Sequence, residues 1–120
     1  MAEIQMGNSE KSFAEIVWEN EPISSVELVK LAEENFQWKK TTTYTVLKRL
    51  CDKGVFKNNG GMVLSVISRE EYHSLHSKSY VDDNFEGSLP AFLAAFTSGA
   101  ALSEEEYKAI RKIIDSEKGI

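Results

Sequence analysis

The stretch from Trp38 to Lys57, WKKTTTYTVLKRLCDKGVFK, is the part of the chain that most restricts what it can become. It carries Lys39, Lys40, Lys48, Arg49, Lys53 and Lys57 against a single acid, Asp52, in a protein of net charge -5. Basic charge is therefore concentrated in one segment of an acidic chain, which suits a local grip on a polyanion rather than a general coating. At 100° per residue, Thr43, Val46, Leu47, Leu50 and Cys51 gather on one side of a helix and form an inward face. Thr42, Thr45 and Arg49 fall on the opposite side, flanked by Thr41, Lys48 and Asp52. A front of this kind fits a DNA major groove. Threonine can hydrogen-bond phosphates or bases and offer a methyl to thymine, while Arg and Lys reach phosphates or guanine edges. The competing reading is an ordinary solvated helix face that happens to be basic.

The neighbouring segments favour the first reading. A helix is expected over Glu10 to Asn20, with Phe13, Ile16 and Val17 at the spacing of a buried stripe and Trp18 widening it. Asn20-Glu21-Pro22 stops it. Ser24 followed by Glu27 makes a capping box for a second helix, which draws its buried positions from Val26, Leu28, Val29, Leu31 and Ala32 and ends near Asn35. Phe36, Gln37 and Trp38 connect it to the basic helix, which Gly54 closes with a left-handed cap. Val55-Phe56-Lys57 and Met62 to Ile67 are β-prone runs around Asn58-Asn59-Gly60-Gly61, the pattern of a hairpin. Three helices followed by a hairpin is the order of a winged helix, the third helix being the one that would read DNA. The expected class is mostly α with a small β-hairpin, a winged helix-turn-helix domain over residues 1–67 and a helical dimerisation region over 68–120.

Residues after Ser68 are net acidic and would stay off DNA, yet they are rich in large apolar side chains. Helices are expected from Ser68 to about Asn84, from Ser88 to Thr97, and from Ser103 to about Glu117, the last opened by a Ser103/Glu106 capping box. Three short helices cannot bury this much apolar surface among themselves. A two-fold homodimer is the economical solution, with Tyr72, Tyr80, Phe85, Leu89, Phe92, Leu93, Phe96, Leu102, Tyr107, Ile110, Ile113 and Ile114 as its expected residues. The alternative packs these helices back onto the winged helix in a monomer.

With those residues in view, the sequence resembles the penicillinase-repressor family of bacterial transcriptional repressors. The resemblance rests on Trp38, Thr42, Thr45, Leu47, Arg49, Leu50 and Lys53-Gly54. It continues through Ser68-Arg69-Glu70-Glu71-Tyr72, Gly87-Ser88-Leu89 and Leu102-Ser103-Glu104-Glu105-Glu106, and so covers nearly the whole chain. It implies a winged helix joined to a dimerisation domain, binding a dyad-symmetric operator as a homodimer to block transcription. Three places depart from the family pattern. Thr41 stands where a lysine is common. The second wing strand, Met62 to Val66, is almost purely aliphatic, which leaves the wing's phosphate grip to Lys57, Asn58 and Asn59. The antibiotic-responsive members are inactivated by an inducing protease at an Asn-Phe bond, and the matching position here is Ala95-Phe96. The clustered C-terminal cysteines of a copper-responsive branch do not occur.

The expected DNA-contacting set is Lys39, Lys40, Thr41, Thr42, Tyr44, Thr45, Lys48, Arg49, Lys57, Asn58 and Asn59. No cofactor is expected, and no enzyme. His73 and His76 lie three apart with Glu70 one turn earlier, but no fourth ligand or activated nucleophile accompanies them, so solvated helix residues are the plainer reading. Cys51 reads as a small packing residue, with redox sensing as the alternative. A single cysteine excludes an internal disulfide. A polar N-terminus and the shortness of the apolar run Leu89 to Phe96 point to a cytoplasmic protein without a membrane span. The remaining alternative function is a winged helix used for protein interaction, without operator binding.

Overall fold

The computed structural model describes residues 4–117. Six helices and three short strands follow in the order α1 (Asn8–Asn20), β1 (Ile23–Ser24), α2 (Ser25–Phe36), α3 (Lys40–Asp52), β2 (Phe56–Asn59), β3 (Met62–Ser65), α4 (Arg69–Phe85), α5 (Leu89–Gly99) and α6 (Glu104–Glu117). The class is that of a winged helix followed by a helical region. The chain divides into two compact units, the first running through Ser79 and the second beginning at Tyr80.

Local chemistry explains the first unit's boundaries. The Ser24 hydroxyl accepts from the Glu27 N–H at 3.1 Å and opens α2, satisfying one of the helix's orphan donors. Gln37, with φ 57°, closes α2 in a left-handed turn. Gly54, at φ 83°, does the same after α3, a conformation that costs a glycine little. Gly60 and Gly61 form the two-residue hairpin turn, both at positive φ (59° and 95°), as a turn that follows the strands' twist requires. Asn58 and Asn59 thus belong to β2 rather than to the turn. The sheet order is β1-β3-β2, all antiparallel. Strand β1 had no sequence signal of its own. It is two residues long, and only tertiary pairing of Ile23 with Val63 and Ser24 with Met62 makes it a strand.

The core of this unit is Phe13, Ala14 and Val17 from α1, Leu28 and Ala32 from α2, and Val46, Leu47 and Leu50 from α3. Ile23, Val55, Phe56 and Val63 close it from the sheet side. Val26, which the apolar pattern of α2 offered as a core candidate, is exposed.

Helix α4 supplies the correction to the dimerisation set. Tyr72 is 2% exposed, its ring 5.8 Å from that of Trp18. Arg69 Nη2, one turn earlier, lies 2.9 Å from Glu15 Oε2 and 3.6 Å from Glu19 Oε1 on α1. The apolar surface of Tyr72 is spent inside the first unit and cannot face another chain. The sequence count of large apolar residues after Ser68 could not separate a tyrosine packed inward from those left outside.

An ion pair anchors the end of α3. Lys53 Nζ lies 3.0 and 3.1 Å from the two Glu10 carboxylate oxygens and 2.7 Å from the Gln5 carbonyl. The Glu10 carboxylate also accepts from the Gly7 N–H at 3.0 Å. Burial is the largest single influence on this carboxyl and raises its pKa. The hydrogen bonds from Gly7 and Lys53, with the charges of Lys53 and Arg49, together outweigh it and hold the group below the ordinary glutamate value. The stabilisation is therefore complete above the unfolded-state pKa and is lost as pH falls through the lower folded value. Glu10→Gln is expected to cost about 1.5–3 kcal/mol near neutral pH, the range for a hydrogen bond to a charged group. Urea denaturation of the two proteins should give curves that converge as pH drops below about 4.5.

In the second unit α4's final turns, α5 and α6 present a different picture. Ser88 and Ser103 cap α5 and α6, and the Ser103/Glu106 box is closed in both directions at 3.1 and 3.0 Å. Tyr80, Phe85, Phe92 and Phe96 form a chain of ring contacts with centroids 5.6–6.3 Å apart. None of the described residues from 80 onward is buried. Phe96 is 52% exposed and Ile113 67%. A groove of about 420 Å³ runs between α5 and α6, lined by Leu93, Thr97, Leu102, Tyr107, Ile110 and Ile114.

Candidate nucleic-acid interface

Helix α3 divides into the two faces that its sequence period implies. Thr43, Val46, Leu47 and Leu50 are buried, and Cys51 is half-buried beside them. Lys40, Thr41, Thr42, Thr45, Lys48 and Arg49 are exposed, and Lys39 is exposed at the N-cap. The separation is enforced by the core rather than by helix propensity, since three consecutive threonines are poor helix formers. Thr43 meets its inward setting by donating its hydroxyl to the Lys39 carbonyl at 3.3 Å.

The outward residues are not equally free. Thr45 donates its hydroxyl to the Thr41 carbonyl at 2.8 Å, so its methyl and oxygen lone pairs are what it presents. Tyr44 is half-buried and donates to Ser25 Oγ at 3.3 Å, tying α3 to the start of α2. Its phenol is a positioning element as much as a contact. Arg49 has no carboxylate within ion-pair distance among the described residues, although its charge reaches Glu10. Among the described residues it pairs with neither Asp52 nor Glu34, the nearest candidates in sequence on α3 and α2. Lys53, counted above in the basic segment, has its ammonium engaged by Glu10 at 3.0 Å. The sequence offered no signal for that pairing, because forty-three positions separate the partners.

The hairpin adds Lys57, Asn58 and Asn59, all exposed. Asn58 Oδ1 accepts from the Gly61 N–H at 2.8 Å, so this side chain builds the turn and offers only its amide N–H groups outward. The hairpin is fixed to α3 by the Val55 N–H donating to the Leu50 carbonyl at 3.0 Å. Its far strand is held by Glu21, which accepts from the Ser65 N–H and hydroxyl at 2.8 and 2.7 Å. The Trp18 indole N–H donates to the Ile67 carbonyl at 3.1 Å.

These features occupy one continuous architecture, and so does the similarity. The family model described as Penicillinase repressor matches residues 6–116. The chain belongs to the penicillinase repressor family. Among curated relatives, the penicillinase repressor of Bacillus licheniformis is 25% identical over 118 residues, spanning 95% of this chain and 92% of that protein. The matched span takes in both the winged helix and the C-terminal helices. It is a family of repressors.

Other candidate chemistry in this penicillinase-repressor chain is occupied by packing. His76 stacks on Tyr72 at 5.6 Å and 13°, and His73 meets the same ring edge-on. No group of three or more His, Cys, Asp and Glu side chains among the described residues could hold a metal ion. Burial, and then the Asp52 charge, push the Cys51 thiol above its ordinary pKa, which lowers the thiolate fraction that oxidation needs. Among the described residues, no helix is long and apolar enough to cross a membrane.

Proposed function

We propose that this protein is a cytoplasmic, sequence-specific DNA-binding repressor that acts as a homodimer on a dyad-symmetric operator. The observation that carries the reading is the outward face of α3. Lys40, Thr41, Thr42, Thr45, Lys48 and Arg49 stand exposed directly behind a buried row of Thr43, Val46, Leu47 and Leu50. Lys39, Lys40 and Lys48 hold phosphates, while Thr42, Thr45 and Arg49 meet base edges or fix register. Residues 1–67 form the DNA-binding domain. Residues 68–120 join two subunits, which would give the exposed Leu89, Phe96, Tyr107, Ile113 and Ile114 an apolar partner. The name of the Bacillus licheniformis relative supports a repressor. Each subunit would place one α3 in a major groove, with half-sites one helical turn or a multiple apart.

The test is a salt series of fluorescence anisotropy with duplex from the protein's own upstream region. Each phosphate contact contributes about 0.9 to the slope of log K against log salt. Lys48→Ala in a symmetric dimer removes two contacts, so the slope should become shallower by roughly two units. An unchanged slope would show that Lys48 does not touch the backbone and would shift the phosphate grip elsewhere.

A further inference from the structure

Tyr44 stands at the border between the two faces of α3. Thr43 and Leu47 on one side of it are buried, while Lys40, Thr41 and Lys48, one turn away, are exposed. Its phenol donates to Ser25 Oγ at 3.3 Å. Ser25, in the first turn of α2, is 8% exposed, and its backbone N–H donates to the Gly61 carbonyl in the hairpin turn at 2.8 Å. One buried serine thus joins α3, the start of α2 and the turn. The other ties of α3 to its neighbours lie at its C-terminal end, where Lys53 meets Glu10 and the Val55 N–H meets the Leu50 carbonyl. Among the described residues, no other side chain between Lys40 and Val46 hydrogen-bonds to a different element. Thr43 and Thr45 turn back to the carbonyls of Lys39 and Thr41.

We propose that Tyr44 is a positioning residue for sequence discrimination: through Ser25 its phenol fixes the rotation of α3 about its own axis, and with it the setting of Thr42, Thr45 and Arg49. The inference rests on the operator-binding reading. The buried row of Val46, Leu47 and Leu50 holds the helix to the core by apolar contact, which has no preferred direction. A hydrogen bond has one, and it weakens steeply as its angle closes. Tyrosine is longer than any side chain in that row, so rolling the helix moves its oxygen farthest. Base-edge pairing needs a fixed setting of the helix, because a bidentate fork is geometrically exacting. Lysines on flexible stems reach phosphates from many settings. Without the Ser25 tie, a smaller fraction of molecules holds α3 in the reading position, and apparent affinity falls by that fraction. The loss belongs to specific binding and spares binding to random duplex.

The experiment measures anisotropy of the full chain on the upstream duplex and a random duplex over a salt series, with thermal unfolding to confirm that each variant is folded. Tyr44→Phe keeps the ring and removes the donor. It should weaken binding to the upstream duplex roughly fivefold for each half-site, the factor that matches one neutral hydrogen bond, and leave random-duplex binding unchanged. Its salt slope should equal that of the unmodified protein, because no phosphate contact is lost. Ser25→Ala removes the acceptor and should reproduce this pattern, and Tyr44→Phe/Ser25→Ala should lose no more than either change alone. A phenol that touched DNA directly would give losses that Ser25→Ala does not copy and that add in the combined variant, which would overturn the proposal. Full specific affinity in Tyr44→Phe, or an equal loss on both duplexes, would overturn it as well, while leaving operator binding through α3 intact. Absence of any preference for the upstream duplex in the unmodified protein would instead remove the operator reading and this inference with it.

Discussion

Phe56→Ala is expected to destabilise the winged-helix unit by about 3–5 kcal/mol, the range for emptying a fully buried aromatic site. Phe56 is 1% exposed, with the Trp18 ring edge-on at 5.6 Å. It begins β2 immediately after Val55, whose carbonyl accepts from the N–H groups of Val66 and Ile67 at 2.8 and 3.2 Å. Removing the ring leaves a cavity where α1 and the sheet meet, and small domains have only about 5–15 kcal/mol to lose. Urea unfolding followed by tryptophan fluorescence is the appropriate measurement, because Trp18 lines the altered site. Val66→Ala, at an exposed position just past the end of β3, should change stability by no more than about 0.5 kcal/mol. A loss below about 1 kcal/mol for Phe56→Ala would show that the hairpin is not an integral part of this core.

Much of that core was legible in the sequence because its signals are local and agree with one another. Phe13 and Val17 on α1, Ser24 with Glu27 at the start of α2, and Gly54 after α3 each announce their role within a few residues. The buried row of α3 follows directly from its helical period. What sequence could not give depends on distant partners. Strand β1 exists only through Val63 and Met62. Lys53 reads as one more basic residue until Glu10 is brought against it. Tyr72 and the exposed tyrosines after it look alike in a list, and only the meeting of α4 with Trp18 distinguishes them. The exposed face of α3 was visible in outline, while the internal bonds of Thr45, Tyr44 and Asn58 that restrict what each can offer were not.

Thr42→Ala/Arg49→Ala should abolish sequence preference without unfolding the protein. Both side chains lie on the exposed face of α3, clear of the core, so thermal stability should stay close to that of the unmodified chain. A bidentate Arg49–guanine pair is worth about 1–3 kcal/mol of discrimination, lost once in each half-site. Were Arg49 instead a phosphate anchor, the variant would bind every duplex more weakly by the same factor, and the difference between specific and random sequence would survive.

The most direct measurement is therefore anisotropy of the unmodified protein and this double variant against three probes: duplex from the upstream region, a random duplex, and a single strand. The account predicts tight, salt-steep preference of the unmodified protein for the upstream duplex, and its collapse in the variant to the level of the random duplex. Equal weak binding to all three probes, or a variant that keeps the full preference, would contradict a recognition role for α3. The fold would then be that of a winged helix used to bind another protein.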